Sequence, residues 1–241
     1  NIDNNYKPFQ FNKAHPIKSI LKSLLIFRKR ALRIERFSSF YNNYLKISNK
    51  TYSDDDISEC KTKYDLFVSG SDQVWGPGRD GVSPDGAYFL SFADDSQKFS
   101  YAASFGVTNI SDAKAKDLKP LLDGFQTYSV REKSALSIVK KVTGKDGVCH
   151  IDPTLLLSSD DWRKISVKKI DKPYILVFNV KPVKSLIDYA EKLSKEKNLP
   201  VIYITDNPQK KRNNFTYVSA PTVEEFLGYF ANATYTVTNS F

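Results

Sequence analysis

The chain has 241 residues, 41% hydrophobic and 26% charged, the balance of a globular protein with room for one large domain or two modest ones. Two cysteines, Cys60 and Cys149, and two histidines, His15 and His150, exclude a disulfide framework and a His-rich zinc centre, and no apolar run approaches the roughly 18 residues of a membrane span. The formal charge of +9 belongs to residues 1–50, where 11 Lys or Arg stand against Asp3 and Glu35; the other 25 basic residues meet 25 acidic ones.

The basic stretch, "IKSILKSLLIFRKRALRIERFSSFYNNYL", places apolar residues at steps of three and four from Ile17 to Tyr44. That spacing predicts an amphipathic helical segment within 16–47, broken near Ser38-Ser39. Arg28, Lys29, Arg30, Arg33 and Arg36 crowd its middle. One reading is a helix laid on a core with its basic face solvated; another is contact with an anionic membrane surface or a pyrophosphate-linked lipid. Nucleic acid is not expected, since the segment lacks aromatic platforms and any recognition motif.

From residue 64 strands and helices alternate. Strands are predicted at 64–70 ("YDLFVSG"), 98–104, 127–131 and 147–152, with helices over 112–125 and 132–144. Ser111 caps the first of these helices and Gly144 ends the second; Pro120 should kink or split the first. A looser stretch with one short helix follows, and residues 158–172 read as a linker. The rhythm restarts with strands at 173–180, 200–205, 215–220 and 234–241, and helices over 184–198 and 222–233. Val-, Ile-, Tyr- and Phe-rich strands alternating with helices predict an α/β fold of two doubly wound, Rossmann-like halves, 1–157 and 173–241. The chain has no Met, starts at Asn1 and stops at Phe241 directly after a strand-like run, so a fragment incomplete at both ends is expected.

In open parallel sheets ligands bind beyond the carboxyl ends of strands. Small, hydroxylated or charged residues end nearly every predicted strand: Ser71, Asp72 and Gln73; Ser104; Arg131 and Glu132; Asp152; Asn239 and Ser240. Gly70-Ser71 serves as a turn or as close-approaching backbone for a ligand. Asp72 is a turn cap, a contact for sugar hydroxyls or a general base. Trp75 is core or a sugar platform. Arg131 pairs locally with Glu132 or forks onto a carboxylate or phosphate. Asp152, before Pro153, reads as a structural turn, and His150 as a packed strand residue.

Taken in order, "YDLFVSGSDQVW", "KFSYAASFG", "TYSVREKSA", "HIDPTLLL", "KPYILVFNV" and "TVEEFLGYFANATYTVTNSF" resemble the polysaccharide pyruvyl transferase family from about Tyr64 to Phe241. The resemblance implies two Rossmann-type domains similar to the GT-B architecture, an acceptor-side N-terminal and a donor-side C-terminal one. It also implies transfer of the enolpyruvyl unit of phosphoenolpyruvate to hydroxyls of a surface polysaccharide or its lipid-linked precursor, closing a cyclic ketal. The implied setting is bacterial exopolysaccharide or capsule synthesis, cytoplasmic or peripheral at the inner face of the membrane. The family continues past Asn/Asp-Ser-Phe into His-Gly, and that His, beyond Phe241, is expected at the phosphoenolpyruvate site.

The reaction calls for a cation at the donor's anions, a proton donor, and an acceptor for hydroxyl protons, with no metal or cofactor. Arg131 is expected as the anion clamp and Asp72 as the sugar contact and base. Ser71, Gln73, Ser104 and Glu132 would position the acceptor, and Asn239 and Ser240 would approach the donor. Two rivals share the architecture: a GT-B glycosyltransferase using a nucleotide sugar, and a non-catalytic glycan-binding member.

Overall fold

The computed structural model describes residues 16–78, 84–180, 183–206 and 211–240. They form two compact units: residues 49–158, and the described residues up to Ser48 together with those from Ser159 onward. The helix α1 (Pro16–Tyr44) therefore belongs with the C-terminal residues, not with the N-terminal half where the sequence reading placed it. The reason is side-chain chemistry distant in sequence. Arg33 pairs with Asp206, and Arg36 pairs with Glu225 and donates to the Ala220 carbonyl. The helix does not break at Ser38-Ser39. Both serines are exposed, where Ser lowers helix propensity by only a few tenths of a kcal/mol, and Phe40 and Tyr44, one turn apart, hold their rings 4.8 Å from each other.

The unit of residues 49–158 holds β1 (Phe67–Ser69), β2 (Lys98–Ser100), α2 (Asp112–Leu122), β3 (Ser129–Val130), α3 (Lys133–Thr143) and β4 (Val148–Cys149). β1 pairs parallel with β2, and β3 with β4. Ala103 forms parallel bridges to both Asp72 and Val130, which joins the pairs in the order β1-β2-β3-β4. The strands are shorter than their sequence signals because the backbone turns left-handed at Gly70 (φ 127°), Asp72 (φ 71°) and Ala102 (φ 47°). The ladder then resumes through Ser104 N–H to Asp72 O and Arg131 N–H to Ala103 O.

α3 is built as its spacing predicts. Ala135, Ile138, Val139 and Val142 face the core, and Gly144 closes the helix at φ 74°. Ser111 caps α2, and Pro120 does not split it: the helix runs on to Leu122, and the C-cap bond that spans the proline, Asp123 N–H to Lys119 O, forms at 3.0 Å. Trp75 is wholly buried among Phe89, Phe105 and Phe125. It is a core residue and offers no wall to a sugar. Its indole N–H has no partner among the described residues, a cost of about 1–3 kcal/mol that burying roughly 200 Å² of ring outweighs.

The other unit continues with α4 (Ser159–Ile165), β5 (Ile175–Phe178), α5 (Lys184–Lys197), β6 (Val201–Ile204), β7 (Phe215–Val218), α6 (Val223–Asn232) and β8 (Tyr235–Thr238). All four strands are parallel, in the order β7-β6-β5-β8. The chain winds from β5 outward to β7 and then crosses to the opposite side of β5, the Rossmann-like arrangement in which a crevice opens where the order reverses. α6 starts with a Thr222–Glu225 capping box. The stretch read as a linker is structured: α4 is followed by Val167, whose N–H donates to Glu224 O of α6 at 2.9 Å.

Candidate functional site

In the unit of residues 49–158 the carboxyl ends of four parallel strands bring Ser71, Asp72, Ser104, Arg131, Glu132 and Asp152 into one connected group. The turn after β1 is set by Gly70, where a Cβ would lie 2.1 Å from the Tyr101 carbonyl oxygen. Asp72 follows in the left-handed region, which Asp tolerates better than most residues, and its side chain is 85% exposed. Gln73 lies exposed against Gly106, whose missing Cβ leaves room for the amide.

Arg131, next after β3, is the hub. Its Nη1 stands 3.1 Å from Asp152 Oδ2 and 3.7 Å from Asp72 Oδ1, and its Nε is 3.6 Å from Glu132 Oε2. Glu132 Oε1 accepts from the Ser104 hydroxyl at 2.6 Å, and Ser104 Oγ accepts from Gly106 N–H at 3.0 Å. Ser71 Oγ lies 2.8 Å from Ala102 O and 3.0 Å from Asp152 Oδ2, two acceptors that compete for its one proton. Three carboxylates thus share one guanidinium. The expectation of Arg131 as clamp for a phosphate or carboxylate meets a side chain already matched by acidic neighbours, in a site whose formal balance is negative.

Asp152, read from the sequence as a turn, is that and more. Its Oδ1 accepts from the N–H and hydroxyl of Thr154, at 3.0 and 2.8 Å. Burial pushes its carboxyl up, but these donors, with Arg131 and Ser71, outweigh that and hold it down at about 2. The Asp-Pro dipeptide alone predicts a local turn, and its distant partners Ser71 and Arg131 leave no mark in the neighbouring sequence.

His150 was read as a packed strand residue; it is exposed just past β4. Its Nδ1 is 2.8 Å from Ser129 Oγ, and its ring stacks on Tyr101 at 5.7 Å and 7°. The signal that was available is the alternation His150-Ile151-Asp152, which puts both polar side chains on one face of an extended segment.

Asn239 and Ser240 lie in the other unit, past β8 and beside the reversal of strand order at β5. There Asn239 Oδ1 accepts from Val180 N–H at 3.0 Å, its Nδ2 donates to Asn179 Oδ1 at 2.9 Å, and Ser240 N–H donates to Thr238 Oγ1 at 3.0 Å. The same unit contains a cavity of about 280 Å³ walled by Phe37, Phe178, Ile204 and Phe226, with the Arg33–Asp206 ion pair among its lining residues. Among the described residues no group of three or more His, Cys, Asp or Glu is arranged to hold a metal ion, and no helix is long and apolar enough to cross a membrane.

Comparison of the chain with known proteins returns no match among curated proteins and none among solved structures. A family model does match, described as "Polysaccharide pyruvyl transferase", over residues 2–241. With that coverage, on parallel α/β units whose strand ends gather acids, hydroxyls and an arginine, the chain belongs to the polysaccharide pyruvyl transferase family, a family of transferases.

Proposed function

We propose that the protein moves the pyruvyl group of phosphoenolpyruvate onto two hydroxyls of a saccharide, and that residues 49–158 supply the acceptor side. The observation that carries this reading is the Asp72–Arg131–Glu132–Asp152 group at the strand ends. Three carboxylates around one guanidinium repel a phosphorylated acid and attract hydroxyl donors. Arg131 then serves to hold the acids in place, and the role of anion clamp passes to groups elsewhere.

In the reaction one hydroxyl oxygen attacks the carbon that bears phosphate. The methylene carbon takes a proton, the C–O bond to phosphate breaks, and the second hydroxyl closes the ketal. One hydroxyl proton ends on the new methyl group and the other leaves with phosphate; neither oxidant nor reductant is consumed. Asp72, the most exposed acid of the group, is the acceptor for a hydroxyl proton. Ser71, Gln73, Ser104 and Glu132 orient the saccharide. Asn239 and Ser240 are assigned to the donor side, at the place where the strand order reverses. A GT-B architecture and a lipid-linked acceptor at the membrane surface belong to the same proposal. Exposed Phe27 and Lys29 of α1 support membrane contact, whereas Arg33 and Arg36 are engaged within the fold.

The test is phosphate release from phosphoenolpyruvate against a panel of methyl glycosides. Asp72→Asn should lower turnover about 10²- to 10⁴-fold, the usual contribution of a positioned base, with phosphoenolpyruvate affinity in calorimetry unaltered. Full turnover in Asp72→Asn would remove it from the reaction.

A further inference from the structure

We infer that His150 is a pre-oriented hydrogen-bond donor for an oxygen of the saccharide acceptor; this rests on the pyruvyl-transfer reading of the neighbouring acidic group. Its backbone is fixed first. Register pairs Ser129 with Val148 and Val130 with Cys149, and His150 N–H extends the ladder by donating to Val130 O at 2.8 Å. Alternate residues share a face, so Ser129 and Arg131 project with His150 and Asp152. Two cross-strand side-chain pairs follow one another there, Ser129–His150 at 2.8 Å and Arg131–Asp152 at 3.1 Å.

The ring is fixed next. Ser129 is 4% exposed, and its Oγ accepts the Ala102 N–H at 2.9 Å. Among the described residues the other neighbour of this buried hydroxyl is His150 Nδ1, and donation there is what keeps the hydroxyl proton from being buried unpaired. A neutral imidazole that accepts at Nδ1 carries its proton at Nε2. Tyr101 stacking sets the ring plane. Nε2 has no hydrogen-bond partner among the described residues, and the side chain is exposed. Orientation, tautomer and plane are all determined, while one donor is left for a ligand.

The chemistry of that ligand follows from the neighbours. Asp72, Glu132 and Asp152 accept hydrogen bonds and carry negative charge; His150 Nε2–H donates. A polyol, whose oxygens donate and accept together, satisfies both. An anion satisfies only the second. An imidazole locked as Nε2–H does not take a proton through that nitrogen, so His150 serves the saccharide as a donor and not as a base.

Only two histidines occur in the sequence, so ¹⁵N-imidazole labelling gives a two-residue spectrum in which His15→Gln assigns His150. At alkaline pH the spectrum should show Nε2 protonated and Nδ1 bare, and Ser129→Ala should relax the tautomer ratio toward that of a free imidazole, in which Nδ1–H is also populated. A protonated Nδ1 overturns the inference. Kinetics against the methyl glycoside that best supports phosphate release supply the second readout. His150→Phe keeps a ring on Tyr101 but no N–H, and should raise the saccharide KM about tenfold or more while the phosphoenolpyruvate KM stays put. His150→Gln, with an amide donor, should recover part of the loss. An unaltered saccharide KM in His150→Phe overturns the inference while leaving pyruvyl transfer standing. Absence of phosphate release by the unsubstituted protein with every glycoside overturns pyruvyl transfer, and the saccharide role of His150 with it.

Discussion

A single carboxylate, Asp152, ties a turn to the site. One oxygen caps the Pro153–Leu155 turn through Thr154, and the other receives Arg131 and Ser71. Its side chain is 12% exposed, so the interaction is little screened. Because its folded value, about 2, lies below the ordinary carboxylate range, it adds stability that is complete above about pH 4 and lost as pH falls toward 2. The displacement corresponds to about 2 kcal/mol. Asp152→Asn should therefore unfold at lower urea concentration than the unsubstituted protein near neutral pH, by about that free energy, and the gap should close near pH 2. A gap of equal size at both pH values would contradict the assignment. At this scale the sequence pointed to the strand-end residues and to the Arg131–Glu132 pair, but not to the distant partners. Arg131 meets Asp72 and Asp152 across gaps in sequence that carry no local signal.

Helices were legible where caps and periodicity agreed, as for α3 with its buried 135-138-139-142 stripe and Gly144, and for α6 with its capping box. Strand lengths were not, since the left-handed residues Asp72 and Ala102 follow no composition rule. Two glycines separate the physical causes. At Gly228 a Cβ would lie 1.9 Å from the Val167 carbonyl oxygen, so α6 and the segment after α4 touch backbone to helix. Gly228→Ala should destabilise by at least about 2 kcal/mol through steric displacement. At Gly144 nothing lies within 4 Å of the added Cβ, and only the backbone angle objects. Gly144→Ala should lower stability by about 1 kcal/mol. Thermal melting of the two variants checks the order; a Gly228→Ala protein as stable as Gly144→Ala would mean the helix is not held there.

Over the whole molecule, alternation of apolar strands with amphipathic helices predicted parallel α/β structure, which the structure has. What it did not foretell is which unit takes α1. The excess basic charge of residues 1–50 fitted both a helix laid on a core and contact with an anionic surface; Arg33 and Arg36 neutralise Asp206 and Glu225 within the same unit, 173 and 189 residues away. Ion pairs at such separations leave no trace in local composition.

The most direct measurement offers phosphoenolpyruvate with the methyl glycosides, and nucleotide sugars in parallel, then identifies the leaving group and the product. The account predicts inorganic phosphate from phosphoenolpyruvate and a glycoside carrying a pyruvate ketal, both lost in Asp72→Asn. Release of nucleoside diphosphate, with phosphoenolpyruvate returned intact, would contradict it.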